Sequence, residues 1–143
     1  MILHRNISLK EASCPCGCGT VASNELLDNA QTLRDRVGFP LPFSSIVRCE
    51  TYNKKIGGSS LSVHLLSIEP DPYGALDIKI RTRSRKDEGQ PDKVYRIVVV
   101  AFSLGANNIE VCDGHVHIAW TPFGHPMFET VYWGMSKWVL KLK

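Results

Sequence analysis

No stretch of the chain approaches the roughly 18 to 20 consecutive apolar residues that a membrane-spanning helix needs, so membrane insertion is not expected. Internal repeats and low-complexity tracts are also missing, which leaves out solenoids and fibrous arrays. Neither sign of charge dominates: 17 lysines and arginines face 14 aspartates and glutamates, a net +3. That balance tolerates an anionic partner without demanding one. The opening residues, MILHRNISLKEAS, lack an apolar run followed by a small-residue cleavage site, so synthesis in the cytoplasm without a standard secretory signal is expected. Cysteines are few and odd in number, and three of the five crowd into CPCGCG as Cys14, Cys16 and Cys18. Pairing within so tight a cluster is awkward, because disulfide geometry is restrictive. Free thiols or a metal are expected in place of a disulfide framework.

What is present describes a globular chain. Its 143 residues are 43% apolar and 22% charged, which fits one domain spanning residues 1–143 with a substantial core. Leu26, Leu27, Ala30, Leu33 and Val37 recur at helical spacing and predict an amphipathic helix over 24–37, capped by Ser23 or Asn24 and stopped at Gly38. A short strand is expected around 45–48, then loop chemistry over 51–73 and a strand over 75–83. Pro91 opens a second helix that runs to Leu104, apolar nearly all round. NNIEVCD and HVHIAW read as strands joined by a turn at Asp113-Gly114, and the closing KWVLKLK fits either a strand or a short helix. The expected class is α+β, an antiparallel sheet with helices packed on one side.

Chemistry concentrates on the histidines. His115 and His117 stand two apart on a strand and therefore share a face. Neutral imidazole is the commonest metal ligand, so the pair is either half of a metal site or two ordinary hydrogen-bonded strand histidines. His64 on a loop, Asp77 at a strand start and one hairpin histidine can together supply three ligands to a zinc ion, leaving its fourth position to water.

Read in order, RCETYN (48–53), IGGSS, SVH (62–64), GALDI and DGHVHI resemble the zinc D,D-carboxypeptidase family. That family includes bacterial D-Ala-D-Ala carboxypeptidases and phage endolysins that cut peptidoglycan stem peptides. CPCGCG also looks like the N-terminal segment of many phage members, and the resemblance covers roughly residues 13 to 119. It implies a hedgehog/D,D-peptidase-like fold with zinc held by His64, Asp77 and His117. It further implies Ser62 as a hydrogen-bonding partner of the substrate, and Arg48 as holder of a substrate carboxylate or oxyanion. His115 would act as an acid/base or transition-state stabiliser beside the metal. The implied partner is a peptidoglycan stem peptide cut by zinc-activated water. No nucleic-acid partner is expected, and the oligomeric state is left open with a monomer favoured. A phage-type lysin that reaches the wall by other means fits the lack of a signal.

Two positions depart from the family pattern. Asp71 stands at the usual spacing from His64, and Asp77 lies six residues beyond it. Asp77 is preferred because Ala75 and Ile78 around it match the family and it opens a strand. Where relatives place a general-base carboxylate the chain has Gly114, with Asp113 one position earlier as either the base or only a turn-former. That substitution keeps a second reading open, a non-enzymatic structural or wall-binding module that retains the fold. CPCGCG, helped by Cys49, is either a second metal site or a glycine-rich turn. The run KIRTRSRK, with Lys79, Arg81, Arg83 and Arg85 on one face if extended, reads as a solvated sheet edge. Cys112 is expected in the core.

Overall fold

A computed structural model describes residues 4–68, 72–80, 90–133 and 140–141. Asp71, most of the basic run and Trp138 lie outside the described residues. The chain begins with a four-residue helix, α1 (Leu9–Ala12), fixed by a reciprocal capping box between Ser8 and Glu11. Helix α2 (Asn24–Val37) starts where Ser23 accepts the Leu26 N–H and stops at Gly38 in the left-handed conformation. Its buried residues are Leu26, Leu27, Ala30, Leu33 and Val37, the stripe that the periodicity predicts. The second long helix, α4 (Gln90–Ser103), follows a shorter one, α3 (Glu50–Lys55).

Among the described residues six strands form one sheet: β1 (Phe43–Ser45), β2 (Gly74–Lys79), β3 (Asn108–Cys112), β4 (His115–Trp120), β5 (Thr130–Trp133) and β6 (Leu140–Lys141). Their order is β1-β2-β4-β3-β5-β6. The predicted hairpin is β3–β4, and β2 pairs antiparallel with β4 on its other side. One pairing departs from the expected antiparallel sheet: β5 runs parallel to β3, so the sheet is mixed. The cause is the short connection leaving β4, which ends beside the start of β3. The chain re-enters at that end, and Asn108 pins it there by donating to the Thr130 carbonyl (3.2 Å) and hydroxyl (2.9 Å).

Strand alternation divides the sheet into two unlike faces. Leu76, Ile78, Ile109, Val111, Val116 and Ile118 join the core cluster that the α2 and α4 residues Leu26, Leu33, Val94 and Ile97 also fill. The opposite face carries Ala75, Asp77, Asn108, Glu110, His115, His117 and Ala119. There Val63 and Leu66, from a 3-10 turn at Val63–Leu66, pack on Ala75 and Ala119. Helices therefore cover one side of the sheet and leave the other for polar groups. Among the described residues, no helix is long and apolar enough to cross a membrane.

The loop expected over 51–73 is corrected in part, since α3 and the 3-10 turn fall inside it. Both are too short to show a helical period. Helix α3 is fixed instead by a cysteine cap, with Cys49 Sγ accepting the Tyr52 N–H at 3.4 Å. The strand expected around 45–48 is shorter and earlier, at Phe43–Ser45, because residue 48 already leads into the α3 cap.

Leu33 is fully buried between the helices and the sheet. Its replacement by alanine keeps helix propensity high, so the loss reports packing alone. Leu33→Ala should cost about 2–5 kcal/mol in chemical denaturation. A loss well below about 1 kcal/mol would contradict this placement of the core.

Candidate metal centre

The polar face of the sheet collects a histidine–aspartate–histidine set. Asp77 lies on β2 directly across from His117 on β4, and both point away from the helices. His64 enters from the 3-10 turn, buried, with its ring centroid 5.3 Å from that of His117. His117 Nδ1 is 2.8 Å from Asp77 Oδ1, and His64 Nε2 is 3.2 Å from Asp77 Oδ2. One donor atom from each of the three lies within 4.8 Å of the others.

His64 shows why these atoms suit a cation. Its Nδ1 is 2.8 Å from the Ile46 carbonyl, which can only accept, so the ring donates there. A neutral ring then presents an unprotonated Nε2 to the interior. That Nε2 is buried and has no hydrogen-bond partner among the described residues, although a carboxylate oxygen stands nearby. Two lone pairs converging in a buried pocket are costly unless a positive centre lies between them. The Ile46 carbonyl is itself held by Ser67 Oγ at 3.1 Å, and Ser67 Oγ accepts the Ala75 N–H at 3.2 Å. This is the outer hydrogen-bonding shell that fixes the tautomer and aim of ligating histidines.

Asp77 is held ionised. Burial alone pushes its pKa up, but the His117 and His64 rings beside it outweigh burial and hold it well below the usual carboxylate range. Arg48 adds a fixed positive charge, with Nη2 3.3 Å from Asp77 Oδ2 and Nε donating to Ser45 Oγ at 3.2 Å. Two imidazoles and one carboxylate are a donor set of hydrolytic zinc sites, where one position stays open.

The set lies between two clefts. One, of about 320 Å³, is lined by Ser62, Glu110, His117, Asn108 and Met127. The other, of about 440 Å³, is lined by Arg48, Tyr52, Asp77, Gly114 and His115. Ser62 and Arg48 thus line different clefts, and His115 shares that of Arg48. Asp113 is exposed on the β3–β4 turn. Cys112 is half-buried on the polar face, not in the core, and burial pushes its thiol up to about 11.

One residue escaped the motif-based reading. Glu110 is the cross-strand partner of His117, on the same face and in the same cleft as Ser62. The signal was present in the turn itself: a two-residue Asp113-Gly114 connection pairs 112 with 115 and therefore 110 with 117.

Together the fold and donor set define a metallopeptidase-type centre. The sequence model of the family described as Peptidase M15 matches residues 4–119, a span containing all three donors and both clefts' principal polar groups. The chain belongs to that family, zinc-dependent metallopeptidases of the D-Ala-D-Ala carboxypeptidase type. Comparisons with curated proteins and with solved structures gave no match.

Asp77→Ala and His117→Ala should each lower bound zinc by one ion per chain, with the far-ultraviolet dichroism unchanged. Full zinc retention in either variant would show that the ion binds elsewhere.

Proposed function

We propose that the chain hydrolyses a peptide bond of peptidoglycan stem peptides, at a bond involving a D-residue. The observation that carries this reading is the buried His64–Asp77–His117 set with Arg48 in reach of the same carboxylate, in a chain of the M15 family. Zinc held by His64, Asp77 and His117 would polarise the scissile carbonyl and lower the pKa of its water towards about 7.

The remaining work falls to side chains of this chain. Arg48 commits two donors to Ser45 and Asp77 and keeps its other N–H groups for an anion. A planar fork of that kind suits the carboxylate of a stem peptide or an oxyanion. Ser62, in the other cleft, hydrogen-bonds the substrate backbone. His115 stands on the Arg48 side and stabilises developing charge. Glu110 takes the proton of the attacking water and returns it to the leaving amine, a role for which the motif pattern offers Asp113. Its warrant is position: Glu110 shares the Ser62 cleft beside His117, whereas Asp113 sits on an exposed turn.

A second reading, a zinc-retaining wall-binding module without catalysis, is favoured by Gly114 at the position where relatives carry a carboxylate. Turnover separates the two. On purified peptidoglycan, Glu110→Gln should lower kcat by about 10²–10⁴-fold with zinc content intact, and Asp113→Asn should leave it within a few fold. The reverse pattern would move the base to the turn. A zinc-loaded wild-type protein that releases no new amino groups would favour the module.

A further inference from the structure

We propose that Cys14, Cys16, Cys18 and Cys49 form a second, structural zinc site, separate from the histidine–aspartate centre. Their four sulfurs lie within 4.8 Å of one another. Cys14 Sγ is 3.4 Å from Cys16 Sγ, which is 3.6 Å from Cys49 Sγ. Zinc–sulfur bonds of about 2.3 Å in a tetrahedron place sulfurs about 3.8 Å apart. The observed gaps sit around that edge length and far from the ~2.05 Å of a disulfide. All four thiols are free.

The spacing Cys-x-Cys-x-Cys looks wrong for zinc only while the segment is imagined as extended. Alternate residues of a strand stand about 6.8 Å apart and aim in parallel, so three such sulfurs cannot surround one ion. Here the segment is coiled into a knuckle. Gly17 and Gly19 take φ of 77° and 84°, conformations that side-chain-bearing residues rarely adopt. The Gly17 N–H donates to the Cys14 carbonyl at 3.3 Å, and the Cys14 N–H closes the loop on the Thr20 carbonyl at 2.8 Å. An isolated antiparallel bridge between Ser13 and Val21 secures its base. The coil turns three thiols toward one another, and Cys49 arrives from another part of the chain as the fourth.

Backbone groups already face the sulfurs. The Cys49 N–H donates to Cys14 Sγ at 3.4 Å, and the Tyr52 N–H donates to Cys49 Sγ at 3.4 Å. Such donors stabilise metal-bound thiolates. Four thiolates in a closed set leave no position for water, which makes the site structural and selects a soft tetrahedral ion. Its effect is to rivet the N-terminal knuckle to Cys49, whose neighbour Arg48 bonds Asp77.

The test needs no catalytic activity. The full chain, purified under reducing conditions, should hold two zinc ions. Cys16→Ser and Cys18→Ser, both at exposed positions, should each lower that to one while His117→Ala removes the other. After cobalt substitution, sulfur-to-cobalt charge-transfer absorption should persist in His117→Ala and vanish in Cys16→Ser. Should the cysteine variants fail to fold, mercurial titration of wild-type thiols should release one zinc that stays bound in their absence. A chain with one zinc, lost in His117→Ala and unmoved by thiol titration, overturns the proposal. So does a cobalt protein without the charge-transfer band.

Discussion

Everything in this molecule's polar face is arranged around the carboxylate of Asp77. It is buried, ionised, and approached by His64, His117 and Arg48 at 2.8 to 3.3 Å. A lone carboxylate in such a place would be expelled or protonated, so its neighbours are the condition of its presence. The register between β2 and β4 sets that company. Because side chains alternate, a slip of one residue between these strands would put Asp77 and His117 on opposite faces, one of them in the helical core. The apolar layer of Leu76, Ile78, Val116 and Ile118 against the helices fixes register on one face, and the donor geometry follows on the other.

His64 is held by a different device. It comes from a 3-10 turn whose anchor is the Ile46 carbonyl, shared with Ser67, and the Arg48 N–H bonds the His64 carbonyl at 3.2 Å. The 46–48 segment therefore orients both a ligand and the cationic residue beside it. The cysteine knuckle meets the chain at Cys49, directly after that segment. A metal there would stiffen a piece of backbone that has no regular secondary structure of its own.

The parts legible in the sequence were those with period or spacing. Helix α2 announced itself through its apolar stripe and its Ser23 and Gly38 ends, and the β3–β4 hairpin through Asp113-Gly114. His64, Asp77 and His117 were identifiable from motifs in order, although the inserted residues offered Asp71 as a rival, and that residue lies outside the described region. Short elements were illegible because six residues of α3 carry no period and its cap is a cysteine. The parallel pairing of β5 followed from where β4 ends, which is a tertiary fact. Glu110 is legible only through pairing: the hairpin register puts it opposite His117, while the motif points to the position of Gly114. Motifs record where relatives keep a group, and pairing shows which other positions face the same space.

The most direct test of the Asp77-centred account is crystallographic, using anomalous scattering from the zinc-loaded protein collected on either side of the zinc edge. A peak is expected about 2.0–2.2 Å from His64 Nε2, His117 Nδ1 and a carboxylate oxygen of Asp77. A zinc-loaded crystal with no peak among these three residues, and Asp77 still paired directly with its histidines, would contradict it.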